Sequence, residues 1–103
     1  MKIHNVLMAA ATVASLSAHA QPADALYVRS LAANCSNCHG TNGRAVPASA
    51  VPGLAGMPRD YMLRQLQAFR DGTRPATVMH QITKGFTPAQ LEQIAGYFAA
   101  QSK

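Results

Sequence analysis

The sequence has no tryptophan, only two cysteines, and four acidic residues against nine lysines and arginines in 103 residues. Nowhere do apolar and polar residues alternate with the period of two that marks a half-buried strand, so the pattern predicts an all-α fold. The length allows one domain at most. There is no internal repeat, low-complexity tract or second domain in the pattern.

The first twenty residues have the pattern of a secretory signal peptide. Lys2 gives a basic start, Val6 to Leu16 carry no charge, and Ala18-His19-Ala20 places small residues before a cleavage site. The eleven-residue uncharged stretch is shorter than the roughly 20 residues that span a bilayer, which disfavours the alternative of a retained anchor. We therefore expect residues 1–20 to be cleaved, residues 21–103 to form the domain in the periplasm, and no integral membrane span.

Without residues 1–20, the chain has few large hydrophobic residues from which to build a core. Residues 21–103 contain 37 hydrophobic residues, of which 14 are alanine and 23 are larger. A domain this small buries about 60% of its unfolded surface or a little more, so we expect a disulfide, a metal or a prosthetic group to complete it. Eight basic and four acidic residues give the domain a net charge of +4. Export from the cytoplasm argues against a nucleic-acid partner.

Three segments show helical spacing of apolar residues. The first helix is predicted from about Asp24, a candidate cap, to Ala33, and the second from after Pro58 to Gly72. The third has the clearest start, with Thr87 as N-cap followed by the capping-box sequence Pro-Ala-Gln. Its inward face is predicted to be Leu91, Ile94, Ala95 and Phe98.

Two long loops join these helices. Residues 40–56 hold a Thr-Asn-Gly turn, two prolines and four glycines, which predicts a loop that needs something to pack against. Residues 73–86 are similar, with one short helical turn expected near residues 78–83. The architecture predicted is three main helices and two long loops around one core.

The strongest chemical signal is Cys35-Ser-Asn-Cys38-His39. The pattern C-x-x-C-H is the attachment site of c-type haem, because two thiols one helical turn apart add to the vinyl groups and the adjacent imidazole then lies under the iron. A large covalent macrocycle would also supply the missing core. We therefore expect one covalent haem c, and expect the haem-free chain to be largely unfolded.

Three other interpretations of the cysteine pair are weaker. A thioredoxin-like dithiol would need a βαβ setting that the sequence does not predict. A zinc site would need four ligands, and only Cys35, Cys38 and His80 with an unidentified fourth can be nominated. A disulfide between Cys35 and Cys38 would close so short a loop that it would add little stability.

An electron-carrying haem needs a second axial ligand, and methionine sulfur favours the ferrous state. Met62 lies on the apolar stripe of the second helix and is expected to be core, while Met57 lies close to the start of that helix. Met79 falls in the second loop, 40 residues after His39, where the chain can cross the other face of the haem. Met79 is therefore the favoured ligand, with His80, Met57 and a five-coordinate iron as the alternatives.

These motifs together resemble those of small class I cytochromes c. The resemblance covers nearly all of residues 21–103, and the motifs that carry it are Cys35–Gly43, Pro52–Gly56, Tyr61–Phe69, Gly72–Arg74 with Met79, and Ile94–Phe98. Within the family, the chain resembles the cytochrome subunit of flavocytochrome c sulfide dehydrogenase and cytochromes of the c4 and c553 types. The implied fold is a small all-α domain packed around one haem.

The resemblance also implies roles for particular residues. It implies that the Pro52 carbonyl accepts a hydrogen bond from His39, that Met79 is the sixth ligand, and that Tyr61, Gln65 and Arg74 hold the haem propionates. The function expected is a periplasmic one-electron carrier, without catalytic residues, that acts between redox proteins such as a flavoprotein or a terminal oxidase. A dedicated haem subunit of an oxidoreductase complex, such as a flavoprotein sulfide dehydrogenase, is the alternative. A five-coordinate haem enzyme or gas sensor is a third.

Overall fold

A computed structural model describes residues 23–103. The predicted signal peptide, residues 1–20, lies outside the described residues. The described chain contains α1 (Ala23–His39), a 3₁₀ turn (Thr41–Gly43), α2 (Arg59–Asp71), α3 (Met79–Lys84) and α4 (Pro88–Ala99), with no strand in this part of the sequence. The prediction of an all-α fold is confirmed. None of the described helices is long and apolar enough to cross a membrane.

The first helix extends further than the sequence predicts at both ends. It already includes Ala23, so Asp24 lies in its first turn rather than at its cap, where a carboxylate interacts favourably with the helix dipole. It also continues through His39 instead of ending at Ala33. The side chains of Asn34 and Ser36, both weak helix formers, bond to helix carbonyls one turn earlier rather than to backbone outside the helix. The segment Cys35–His39 is therefore helical.

The other helix predictions are confirmed. α2 ends at Asp71 and is capped by Gly72, whose φ of 80° is left-handed and suits glycine. α4 begins with a complete capping box, since the Thr87 hydroxyl accepts from the Gln90 amide and the Gln90 side chain accepts from the Thr87 amide. The short helical turn expected near residues 78–83 is α3 (Met79–Lys84).

The core forms where α4 crosses the other helices. α4 packs against both α1 and α2, and α3 packs against α2. The buried cluster takes two residues from α1, one from α2 and three from α4: Leu31, Ala32, Met62, Ile94, Ala95 and Phe98. The predicted inward face of α4 is confirmed, because all four of its members are buried. Two alanines among six residues make this core small for a free-standing domain.

Candidate functional site

The last turn of α1 presents the two cysteines. Cys35 and Cys38 are three residues apart on one helix and therefore lie on neighbouring turns of the same face. Cys35 is half-buried and packs against the hydrophobic cluster, while Cys38 is exposed. Both are free thiols, with no disulfide between them. The pair is available for covalent attachment of a group that lies over this face of α1.

His39 is the buried residue at the end of the same helix. Its side chain is 8% exposed, and its Nδ1 lies 2.7 Å from the Pro52 carbonyl oxygen. A carbonyl can only accept, so the shared proton belongs to Nδ1, and Nε2 is left with its lone pair. The hydrogen bond that the family resemblance implies is present. A histidine whose tautomer is fixed in this way is suited to bind a metal through Nε2.

The loop after His39 determines where the Pro52 carbonyl lies. The Gly43 carbonyl accepts from the amides of Leu54 and Ala55, at 2.7 and 3.1 Å, which joins the Pro52 segment to the 3₁₀ turn. The Gly56 amide donates to the Phe98 carbonyl at 2.9 Å and so fixes the same segment to α4. The loop that the sequence predicts is therefore ordered by backbone hydrogen bonds on both sides.

The chemistry of the thiols distinguishes haem from the other interpretations of the pair. Burial, with a smaller contribution from Cys38, raises the pKa of the Cys35 thiol to about 11. Redox-active dithiols instead depend on a lowered thiol pKa, so this environment does not favour dithiol exchange. Residues 23–103 contain no group of three or more His, Cys, Asp or Glu side chains placed to hold a metal ion, so the zinc interpretation finds no site among them.

The three methionines of the domain have different surroundings. Met62 is 3% exposed and belongs to the core, as the sequence predicts. Met57 is half-buried and packs against the same cluster. Met79 is half-buried at the first position of α3, and its carbonyl accepts a hydrogen bond from the buried Thr83 hydroxyl at 2.8 Å. The Nδ1 atom of His80 is buried without a hydrogen-bond partner among the described residues.

The three residues proposed to hold the propionates lie on or beside α2. Arg74 donates to the Gln65 side-chain oxygen at 2.6 Å, and its guanidinium lies 4.6 Å from the centre of the Phe69 ring. Tyr61 is one turn before Gln65 on the same helix face and is 45% exposed. The structure thus joins Gln65 to Arg74 directly, and Tyr61 lies one turn from Gln65 on α2.

The residues present fit a covalent haem. Two free thiols, an imidazole with one nitrogen already bonded, and an Arg–Gln pair formed by α2 and the loop after it are groups of the kind that a covalent haem requires. Beside Met79, the apolar side chains of Val78 and Ile82 are 56% and 37% exposed. An apolar macrocycle is the kind of ligand that covers such side chains.

Two residues near the site were not identified from the sequence. The Tyr97 hydroxyl on α4 donates to the Asn42 side-chain oxygen in the 3₁₀ turn at 2.7 Å. The sequence places Asn42 in a turn and Tyr97 in the last helix, but 55 residues separate them. Nothing in the local pattern of either segment indicates that they pair.

Comparison with known proteins gives consistent matches. The family model described as cytochrome c matches residues 26–101. A thiosulfate dehydrogenase electron acceptor from Thiomonas intermedia is 38% identical over 90% of this chain, and the cytochrome subunit of sulfide dehydrogenase from Chlorobaculum tepidum is 37% identical over 71% of it. A solved cytochrome c4 structure from Acidithiobacillus ferrooxidans superposes with a TM-score of 0.66 and 33% identity over 82% of this chain.

The relatives are longer than the match. The alignments span 42% of the Thiomonas protein, 64% of the Chlorobaculum protein and 53% of the solved chain. This chain therefore corresponds to about half the length of those proteins. The relatives are named as cytochromes, a cytochrome subunit or an electron acceptor, which agrees with the expectation of an electron-transfer protein rather than an enzyme.

Proposed function

The chain belongs to the cytochrome c family, and we propose that it is a periplasmic single-haem cytochrome that carries one electron between redox proteins, with its iron bound by His39 and Met79. Haem c, attached through Cys35 and Cys38, supplies an iron centre that alternates between the ferric and ferrous states. The observation that carries the proposal is the hydrogen bond from His39 Nδ1 to the Pro52 carbonyl. The periplasmic location is supported by the signal-like pattern of residues 1–20.

His39 and Pro52 act together in this proposal. The carbonyl keeps the proton on Nδ1, fixes the ring orientation and raises the basicity of Nε2, the nitrogen that binds the metal. Because His39 is only 8% exposed, water has little access to compete for either nitrogen. An imidazole held in this way would keep one orientation toward a bound metal in either oxidation state, which a one-electron carrier requires.

Met79 is the sixth ligand in the proposal because the other two methionines are engaged in packing. Met62 is in the core and Met57 packs against it, whereas Met79 begins a short helix next to exposed apolar side chains. A thioether ligand favours the ferrous state and gives a higher reduction potential than a histidine would. His80, the adjacent residue, is the principal alternative.

The apolar surroundings exclude water from the site. Leu54 and Leu66 are half-buried and pack against the core cluster, and Phe69 lies under the Arg74 guanidinium. With haem bound, these side chains would lower the local dielectric constant, so that a change of one charge at the metal would reorganise few water molecules. Arg74 and Gln65 provide donors at the polar edge for carboxylate groups.

Substitution of Met79 tests the ligand assignment. Met79→Ala is expected to abolish the sulfur-to-iron charge-transfer band of the oxidised protein and to lower the reduction potential. Met57→Ala and His80→Ala are the matched controls, and both should retain the band. Loss of the band in Met57→Ala with retention in Met79→Ala would transfer the role to Met57, and absence of the band from the unaltered protein would contradict methionine ligation and favour His80.

A second function is favoured by the relatives' names. One is the electron acceptor of a thiosulfate dehydrogenase and another is the cytochrome subunit of a sulfide dehydrogenase. The second function that we propose is accordingly that of a dedicated haem subunit of an oxidoreductase, docked on a flavoprotein. Purification from its native host distinguishes the two functions: a stable complex with a flavin-containing protein supports the subunit, while a monomer that exchanges electrons with several partners, including a terminal oxidase, supports the carrier.

A further inference from the structure

We propose that Asn42 and Tyr97 are a positioning pair that holds the Pro52 carbonyl against His39, an inference that rests on the proposed function of His39 as metal ligand. Neither residue contacts His39 itself through a hydrogen bond. Their effect is transmitted through the 3₁₀ turn and the Pro52 segment. Three structural features connect Tyr97 to the Pro52 carbonyl, one step at a time.

The first step is the hydrogen bond between the two side chains. The Tyr97 hydroxyl donates to Asn42 Oδ1 at 2.7 Å, and both residues are half-buried. The Tyr97 ring meets the Phe98 ring edge to face at 5.3 Å and 86°, so its direction is fixed by packing. Asn42 has a φ of 53°, a left-handed conformation that asparagine tolerates better than most residues. Tyr97 thus holds Asn42 in a conformation of low intrinsic stability.

The second step is the backbone that follows Asn42. Gly43 is the next residue, and its carbonyl accepts from both Leu54 and Ala55. Pro52 is only two residues before Leu54, so the direction of its carbonyl depends on where this pair of hydrogen bonds places the chain. A rotation of the turn at Asn42 would displace the Gly43 carbonyl and, with it, the Pro52 segment.

The third step is that the other links between this loop and the α4 end of the chain lie outside the turn: the Gly56 amide bonds to the Phe98 carbonyl, and Arg44 bonds to Ser102 beyond α4. Within residues 23–103, the Tyr97–Asn42 bond is the one side-chain to side-chain hydrogen bond between α4 and the 3₁₀ turn. A cavity of about 590 Å³ adjoins it, lined by both residues together with Arg29 of α1 and Gln101, which follows the end of α4. Water in this cavity can solvate Asn42 once the tyrosine hydroxyl is removed, so the turn would open more often without unfolding the helices.

Hydrogen exchange on the haem-loaded protein tests the proposal. In Tyr97→Phe, the His39 Nδ1 proton and the amides of Leu54 and Ala55 should exchange about fivefold faster, the effect of losing one neutral hydrogen bond. The amide of Ile94, in the middle of α4, should keep its rate. Asn42→Gly, which retains the left-handed conformation, should give the same pattern, and the double variant should be no faster than either single one.

Tyr27→Phe is the matched control. The Tyr27 hydroxyl accepts from the Gln90 side chain at 2.9 Å and so links α1 to α4 without reaching the turn. It should leave the His39, Leu54 and Ala55 rates unchanged. Equal acceleration at Ile94 and His39 in Tyr97→Phe, or no acceleration at any of these protons, overturns the positioning role.

The amide rates also separate this inference from the proposed function. Exchange at Leu54 and Ala55 reports the turn whether or not His39 binds a metal. Faster exchange at these amides, with an unchanged exchange rate at the His39 Nδ1 proton, would show that Asn42 and Tyr97 stabilise only the loop. That result would contradict their proposed effect on His39. A wild-type protein whose iron is not bound by His39 would instead contradict the proposed function, with the amide result still standing.

Discussion

Gly43 lies directly against the Phe98 ring. A Cβ atom at Gly43 would be 2.7 Å from Phe98 Cδ1 and 2.8 Å from the Ala55 amide nitrogen, closer than non-bonded atoms approach. The φ of Gly43 is also left-handed, at 79°. The turn after His39 can therefore reach α4 only because residue 43 has no side chain.

Gly43→Ala should destabilise the haem-loaded protein by about 3 kcal/mol or more, since overpacking adds to the cost of the left-handed conformation. Gly72→Ala is the matched control, because Gly72 has a φ of 80° but nothing within 4 Å of an added Cβ. It should lose only about 1 kcal/mol. Denaturant unfolding measures both, and similar losses in the two variants would show that the contact with Phe98 contributes nothing.

Thr87→Ala should lower the free energy of unfolding by about 1 kcal/mol, because it removes the side-chain half of the α4 capping box. In a domain of this size the melting temperature should fall by roughly 4–8 °C. Thr73→Ala serves for comparison, as its exposed hydroxyl bonds only to the Ala68 carbonyl at 3.3 Å. If both substitutions had the same small effect, the capping box would not stabilise α4.

Arg74→Ala should lower the reduction potential by on the order of 50 mV. This shift corresponds to the loss of roughly 1 kcal/mol of electrostatic interaction between the guanidinium and the charge at the site. Arg64→Ala removes the same charge from an exposed position on α2 and should shift the potential much less, because solvent and salt screen it. Potentiometric titration of the two variants gives the comparison. Equal shifts would indicate only a general charge effect and remove Arg74 from the site.

The haem-free chain should lack a cooperative fold. The described residues bury seven hydrophobic side chains, two of them alanines, which is little for a domain of this size. The double variant Cys35→Ala, Cys38→Ala, which cannot attach haem, should show reduced helical circular dichroism and a broad, weakly cooperative melt. A sharp unfolding transition at the stability of the haem-loaded protein would contradict the view that haem completes the core.

Local sequence signals predicted the helix ends that carry clear capping residues. Thr87, Pro88 and Gln90 specify the start of α4 through contacts within four residues, and Gly72 ends α2 for a similar reason. The extension of α1 to His39 was not predicted, because Asn34 and Ser36 are weak helix formers whose side chains here bond back to the helix. Helix propensity alone does not predict whether such a side chain bonds to a carbonyl within the helix or to backbone outside it.

In the candidate site, too, some features could be predicted from the sequence and others could not. Cys35, Cys38 and His39 lie within five residues of one another in sequence, so their role can be predicted without a structure. The contact between Pro52 and His39 came only from the family resemblance, and the contacts of Gly43 with Phe98 and of Asn42 with Tyr97 were not predicted at all. Each joins segments 13 to 55 residues apart, and their meeting depends on how α4 packs on the loop.

The central claim is that one haem c is attached to Cys35 and Cys38 and is bound by His39 and Met79. A visible spectrum of the purified protein, oxidised and reduced, together with a pyridine haemochrome assay, tests it most directly. We expect one thioether-linked haem per chain, a low-spin spectrum in both oxidation states and a sulfur-to-iron band in the oxidised form. A haem that can be extracted from the protein, or a high-spin ferrous form that readily binds carbon monoxide, would contradict it.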